Sequence, residues 1–359
     1  MAERERESEI FGIDRKKALL SVVLGLVLVG AAVAGIGQIT SFHHMVRALR
    51  DADTRWFPIC LLGEVLAYVG FIAAYRDIAR VDGGPLFPLW TATRVVAIGF
   101  GAYALGTSAG SLGLDYWALH RAGETPHMAL RRVLGLNTVE WMILGIYACV
   151  AAVVVAAGGG SAPRAMVLAW LIVVPVFVLA AAWVSSPRRS DRLTSLAGER
   201  VRLGRAPSTW LPWLWYGGRA VVSASIGGVV IVRHLLVKWR THLGGVFGFA
   251  VFWAGDIITL YAALRAFEVH PAVPALVLAY STAYVVTMLP LPAGGSGGIE
   301  AGLAFSLNAV GIPLAEALVA TLVYRFFTLW LPILPAALAA AKVRELDREL
   351  PGIPRASIS

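Results

Sequence analysis

The stretch Leu289-Pro290-Leu291-Pro292-Ala293-Gly294-Gly295-Ser296-Gly297-Gly298-Ile299-Glu300 decides how this chain is read. It lies inside apolar sequence of membrane-spanning character, yet two prolines and four glycines break any helix there, and a carboxylate follows at once. Backbone released from helical hydrogen bonding is tolerated at membrane depth only where protein or a water-filled cavity surrounds it. A carboxylate in that setting is costly and points to function. The stretch therefore predicts a polar site built inside a bilayer.

The composition agrees. The chain has 359 residues, 58% of them hydrophobic and 15% charged, with a mean hydropathy of +0.72. A soluble fold of that length cannot bury so much apolar surface, so the class is an all-α polytopic membrane protein. The net charge of +9 suits orientation and contact with anionic lipid better than nucleic-acid binding. Cys60 and Cys149 both fall in apolar segments, and neither a disulfide framework nor a zinc spacing is present. The histidines are scattered near segment ends. No Walker loop, nucleophile elbow or HExxH motif occurs, so no cofactor or metal is expected and the chain is not read as an enzyme.

Six full spans are expected, near 18–40, 56–75, 133–157, 165–184, 243–265 and 314–341. The first apolar run is too long for a signal-peptide core and is read as a span. Segments 86–105 and 273–290 run into glycine-rich breaks. Segment 209–237 is interrupted: 13 residues separate Arg219 from Arg233, about 20 Å of helix against a core of about 30 Å. It is read as one or two helices in the interface, and segment 41–55 similarly on the other side.

Basic residues set the orientation. With the N-terminus inside, 24 of the 31 Lys and Arg fall in inside segments and five outside, while Arg94 and Arg325 stay within spans. Both termini are thus expected to be cytoplasmic. That count requires 86–105 to enter from inside, break at Gly106–Gly113 and return, and 273–290 to do the same from outside. The expected fold has six spans plus two re-entrant broken-helix pairs, roughly eight membrane helices by the family pattern below. It forms an inverted repeat with a midplane site. The organisation is a segment 1–17, a membrane domain 18–341 and a tail 342–359. Within the membrane domain the halves are 56–157 and 243–341, joined by a basic linker 185–242. A trace of repetition supports this: Gly110-Ser111-Leu112-Gly113-Leu114-Asp115 matches Gly295-Ser296-Gly297-Gly298-Ile299-Glu300 as G-S-x-G-apolar-acid. A second in-span charge stands 25 residues after each acid, Glu140 in one half and Arg325 in the other.

Charges inside spans form the shortlist of functional residues: Glu64, Arg94, Asp115, Glu140, Asp256, Glu300 and Arg325. Each needs a partner or a cavity. Structural pairing is the plainer account of any one of them, Arg325 with Glu300 or Arg94 with a first-half acid. Buried charge networks stabilise poorly relative to apolar packing, which weighs against a purely structural role for the whole set. Gly294, Gly295, Gly297 and Gly298 let backbone amides approach a ligand, and a helix starting near Gly298 aims its positive end at the midplane. Gly110 and Gly113 offer the same in the first half. Gly244 and Gly248 fit close helix packing instead. Arg325 is the strongest candidate for a headgroup phosphate, since a guanidinium grips phosphate through paired hydrogen bonds. Tyr280, Ser281, Thr282 and Tyr284 offer hydroxyls, to ligand or to their own backbone.

The run L-P-x-P-x-G-G-x-G-x-x-E at 289–300, followed by Gly311, L-V-Y-R-F at 322–326 and W-L-P at 330–332, resembles the transmembrane region of lysylphosphatidylglycerol synthases. It is equally similar to the wider family of flippase-like membrane proteins that share that region. Gly110 to Asp115 with Ala118–Gly123 resembles the family's other glycine-containing segment. The resemblance covers most of 15–341 and implies an eight-helix fold with re-entrant helices that moves a phospholipid or a lipid-linked sugar between leaflets. It also implies site roles for Pro290, Pro292, Gly294, Gly295, Gly297, Glu300 and Arg325. Two departures matter. Only Lys342 to Ser359 follows the last span, where the synthases carry a soluble transferase domain, and Thr107-Ser108-Ala109 stands where a first-half proline is expected.

The expected function is translocation of a phospholipid or lipid-linked sugar across the bacterial cytoplasmic membrane through a midplane polar cavity. The substrate-binding set is Arg94, Gly110, Gly113, Asp115, Glu140, Asp256, Pro290, Pro292, Gly294, Gly295, Gly297, Gly298, Glu300 and Arg325. The partners are membrane lipids, with a homo-oligomer or an envelope-biosynthesis partner compatible and nucleic acid excluded. The competing readings are an integral membrane transferase acting on a lipid-linked donor and a non-transporting scaffold of envelope synthesis.

Overall fold

A computed structural model describes residues 52–105, 108–186, 225–235, 237–288 and 295–356, together with Val23, Val27 and Gly30. The architecture is helical, with no strand among the described residues. Among the described residues, five helices are long and apolar enough to cross a membrane. They are α1 (Phe57–Ala79), which continues from a short turn at Thr54–Trp56, α4 (Pro126–Ala156), α5 (Arg164–Val184), α6 (Leu243–Arg265) and a bent helix over Leu314–Ala341. Within the bent helix, α9 (Leu314–Arg325) passes through a π-turn at Phe326–Trp330 into α10 (Ile333–Ala341). These coincide with five of the six expected spans. The sixth, near 18–40, lies outside the described residues apart from Val23, Val27 and Gly30, and most of 41–55 and of 209–237 does as well. The described part of the linker contains a short apolar helix, Ser225–Leu235.

Between the long helices lie two helical pairs. α2 (Leu89–Leu105) packs on α3 (Ser108–Arg121), and α7 (Val273–Tyr284) packs on α8 (Gly298–Ala309). A short final helix, α11 (Val343–Glu349), follows α10.

Among the described residues, the most intimate contact is between α1 and α6. A Cβ on Gly63 would lie 2.6 Å from the Gly255 carbonyl oxygen, and one on Gly255 would lie 2.4 Å from that of Gly63. Gly70 and Gly248 repeat the reciprocal contact at 2.5 and 2.6 Å. Residue numbers rise along one helix as they fall along the other, so the helices are antiparallel and touch backbone to backbone. Small residues permit that approach where lipid supplies no hydrophobic drive for association. The hydroxyl of Thr259 seals the seam by donating to the Cys60 carbonyl at 3.1 Å. Asp77, at the end of α1, accepts from the Gly245 N–H at 2.6 Å, placing a carboxylate at the N-terminus of α6 where exposed amides favour negative charge. The expectation that Gly244 and Gly248 serve helix packing agrees with this seam.

Cross-links then fix α4, α5 and α7 around the pair. Trp253 on α6 donates to the Glu140 carbonyl of α4 at 2.8 Å, Tyr147 on α4 donates to the Ala250 carbonyl of α6 at 2.9 Å, and Trp170 on α5 donates to Thr282 on α7 at 3.0 Å. The apolar core runs through α1, α4 and α6. α5 turns almost all of its surface outward, as expected of a helix facing lipid.

Candidate functional site

The site begins at the start of α8. Gly295 and Gly297 have φ of +75° and +83°, a region that L side chains rarely adopt, so the glycines turn the chain into the helix where other residues could not. Glu300 then stands in the first turn. One carboxylate oxygen accepts from the Gly297 N–H at 2.6 Å, supplying the acidic half of a capping box and using the charge preference of a helix N-terminus. The other oxygen accepts from Arg325 Nε at 2.9 Å. Glu300 is 0% and Arg325 4% exposed. The guanidinium leaves α9 immediately before the π-turn, in which the Leu331 N–H reaches the Phe326 carbonyl at 2.8 Å. Single π-turns inside α-helices recur at functional positions.

A second cluster adjoins this pair. Asp256, on the residue after the α1–α6 contact at Gly255, accepts hydrogen bonds from Tyr324 at 3.0 Å and from Tyr280. Trp253 and Tyr284 pack edge-on beside it, with ring centroids 4.9 Å apart. Because α1 and α6 approach so closely, Glu64 on α1 comes within electrostatic reach of both Asp256 and Arg325. Glu64 and Asp256 are both buried.

A second first-half residue joins Glu64 at this cluster. Tyr103 on α2 interacts electrostatically with Arg325, Glu300, Glu140 and Asp256. Its hydroxyl lies 3.9 Å from where a Cβ on Gly295 would be. The two broken helices therefore meet at Tyr103 and the glycine turn. Neither Tyr103 nor Tyr324 was expected from the sequence. An aromatic hydroxyl near the end of an apolar segment carries little pattern, and only the packing of α2 on the second half gives it meaning.

Two further first-half acids, Asp115 and Glu140, interact with each other. Asp115, on α3, is 3% exposed and lines a cavity of about 10 Å³ with Tyr75 and Arg132. Glu140 interacts with Asp115 and is hydrogen-bonded by Asn137. The 25-residue spacing thus brings both pairs together, as acid against base in the second half and acid near acid in the first. Among the described residues, the Tyr75 hydroxyl and Arg132 Nε have no hydrogen-bond partner.

Three expected positions acquire different surroundings. Arg94 does not pair with a first-half acid. Its Nη2 holds both carboxylate oxygens of Glu349, on α11, at 2.7 and 2.8 Å. Sequence alone does not show this pairing, because the seven-residue α11 carries too short a pattern to mark 342–359 as a docked helix. Gly113 lies inside α3 past its first turn, where its amide belongs to the helix, and a Cβ there would meet nothing within 4 Å. Gly110 is a packing position, its would-be Cβ 3.1 Å from the Ala102 carbonyl oxygen of α2. Gly298 opens α8. Pro290, Pro292 and Gly294 lie outside the described residues. Among the described residues no group of three His, Cys, Asp or Glu side chains could hold a metal ion.

Comparison with known proteins places the fold in a family. Residues 19–336 match the family described as the lysylphosphatidylglycerol synthase TM region, and the chain belongs to that family. It is also similar to a UPF0104 membrane protein of Methanothermobacter thermautotrophicus, with 23% identity over 347 residues that cover 93% of this chain and 96% of the relative.

Proposed function

We propose that this member of the lysylphosphatidylglycerol synthase TM region family translocates an anionic phospholipid or lipid-linked sugar across the bacterial cytoplasmic membrane. The carrying observation is the buried Glu300–Arg325 pair at the glycine turn, with Tyr103 reaching it from the opposite broken helix. A pair retained for stability alone would be a poor choice, since apolar residues of similar volume serve as well or better. A pair that can exchange partners suits transport. The headgroup phosphate takes the Arg325 guanidinium and the amides at the start of α8, and Glu300 keeps its bond to Gly297. The acyl chains remain in lipid.

The α2–α3 and α7–α8 pairs are read as re-entrant, entering from opposite faces, with both termini cytoplasmic. The antiparallel, reciprocal packing of α1 on α6 supports that reading, because those helices occupy equivalent places in the two halves. Glu64, Asp256 and Glu140 surround the path with carboxylates, which favours partial neutralisation by protons or by the positive part of a headgroup. Catalysis has no part in this reading.

The test is lipid movement in proteoliposomes. The panel holds headgroup-labelled phosphatidylglycerol, phosphatidylethanolamine, lysylphosphatidylglycerol and a polyprenyl-phosphate sugar. Movement of one class above protein-free liposomes supports translocation and names its substrate. Rates equal to protein-free liposomes for the whole panel, from folded protein, would reject it.

A further inference from the structure

The C-terminal tail docks on the first half through both apolar and ionic contacts. Leu346, Leu350 and Ile353 are buried in the main core. Beyond them the backbone pairs with residues 84–86: the Leu86 N–H donates to the Pro354 carbonyl at 2.8 Å and the Ala356 N–H to the Gly84 carbonyl at 2.9 Å. Arg355 Nη2 donates to Glu124 at 2.6 Å, and Arg121 Nε donates to Asp347 at 2.7 Å. These contacts hold α11 against the start of α2, where Arg94 lies.

The Arg94 contact differs from the others. The side chain is 5% exposed, yet Nε and Nη1 have no hydrogen-bond partner among the described residues. Glu349 uses both oxygens on Nη2 alone, and Glu345 stays 3.8 Å from Nη1. An arginine fork matches two acceptors side by side, so this carboxylate fills it incompletely. Leaving buried charged donors unsatisfied is costly. The surroundings suit a membrane-surface anion. Trp90 is exposed and lies beside the guanidinium, with Cζ 5.9 Å from its ring centroid, and exposed Lys342, Arg344 and Arg348 accompany exposed Glu345 and Glu349 at and along α11. An exposed Trp and exposed basic residues near helix ends are features of a membrane interface that meets anionic headgroups.

We infer that Arg94 is a binding site for the phosphate group of an anionic lipid, and that Glu349 is a built-in carboxylate competitor that a phosphate displaces from it. The tail backbone stays docked through Leu346, Leu350 and Ile353 while the half-exposed Glu349 side chain swings away. A phosphate offers more acceptor oxygens than the carboxylate for the donors that Glu349 leaves unmet, once the Glu349 side chain vacates its place. In the proposed translocation cycle this site loads lipid from the leaflet on the side of the C-terminal tail. That consequence rests on the translocation reading, but binding at Arg94 does not.

The experiment measures equilibrium binding of acyl-labelled phosphatidylglycerol to the full chain in neutral detergent. Wild type is compared with Glu349→Gln, Arg94→Gln and the double variant, and thermal unfolding reports folding of each. Glu349→Gln is expected to bind about tenfold more tightly, the gain from removing one charge-assisted competitor. Arg94→Gln is expected to bind weakly, and the double variant no better than Arg94→Gln. If Arg94→Gln fails to fold, Arg94→Lys replaces it, retaining charge but losing the fork, and is expected to bind weakly as well. An unchanged affinity in Glu349→Gln overturns the inference. So does a gain that persists in the double variant, which assigns the effect to net tail charge. Displacement of the label by inorganic phosphate identifies the phosphate group alone as sufficient. Displacement by unlabelled lipid only assigns recognition to the whole headgroup at the same site. Binding without any lipid movement in liposomes would leave this site standing and reject translocation.

Discussion

Glu300 and Arg325 stand 25 residues apart, on α8 and α9, and meet at 2.9 Å with both side chains buried. The same carboxylate caps α8 through the Gly297 amide. A single side chain thus joins the helix start created by the glycine turn to the guanidinium that precedes the π-turn. Removing either partner leaves an uncompensated charge out of water. Glu300→Gln and Arg325→Gln should each destabilise the protein by about 3–5 kcal/mol. The double variant should lose less than the two losses combined, with a coupling of about 0.5–3 kcal/mol, by thermal or denaturant unfolding in detergent. Strict additivity would show that the two groups do not interact.

Gly63 and Gly113 should respond oppositely to alanine. At Gly63 the new methyl meets the Gly255 carbonyl oxygen at 2.6 Å, so α1 and α6 must separate, at about 1–3 kcal/mol. At Gly113 nothing lies within 4 Å, and alanine should be neutral or stabilise the exposed helix by about 0.5–1 kcal/mol. Comparable losses in the two variants would contradict the α1–α6 seam.

Gly297→Ala should strain the turn into α8. Its φ of +83° costs a side chain about 1–3 kcal/mol, and relaxing it shifts the amide that Glu300 holds. Hydrogen exchange over the start of α8 should rise in the variant. Unchanged protection there would place the strain elsewhere.

These features differ in how far sequence alone exposes them. The glycine turn, Glu300 and Arg325 are legible because proline, glycine and charge are abnormal in apolar sequence, and their 25-residue spacing is visible. The long helices are legible from hydropathy. Tyr103, by contrast, gains its role only when α2 crosses to the second half, a long-range contact with no periodic signal. The pairing of Arg94 is hidden for a related reason: α11 is too short to register as a helix by periodicity, so Glu349 has no assigned place until the tail is seen docked. Glu64 is visible as an in-span charge, yet its nearness to Asp256 follows from backbone contact between glycines two helices apart in function and far apart in sequence.

Tyr280 and Tyr324 share the Asp256 carboxylate, so their removal should be cooperative. Either phenylalanine substitution alone leaves one donor. Both together strand the buried acid, and the second substitution should cost about 1–3 kcal/mol more than the first. Equal, independent losses in the unfolding midpoint would show that Asp256 has another source of stabilisation.

The most direct test of the central claim couples lipid movement to the ion pair. Transport of the lipid class moved by wild type is measured in proteoliposomes for Glu300→Gln, Arg325→Ala and the α3 surface control Gly113→Ala, each shown to be folded. The account predicts that both site variants lose movement by tenfold or more, equivalent to about 1.4 kcal/mol or more in the barrier, while Gly113→Ala retains the wild-type rate. Wild-type rates in both folded site variants would contradict it, and would reduce the Glu300–Arg325 pair to a structural tie.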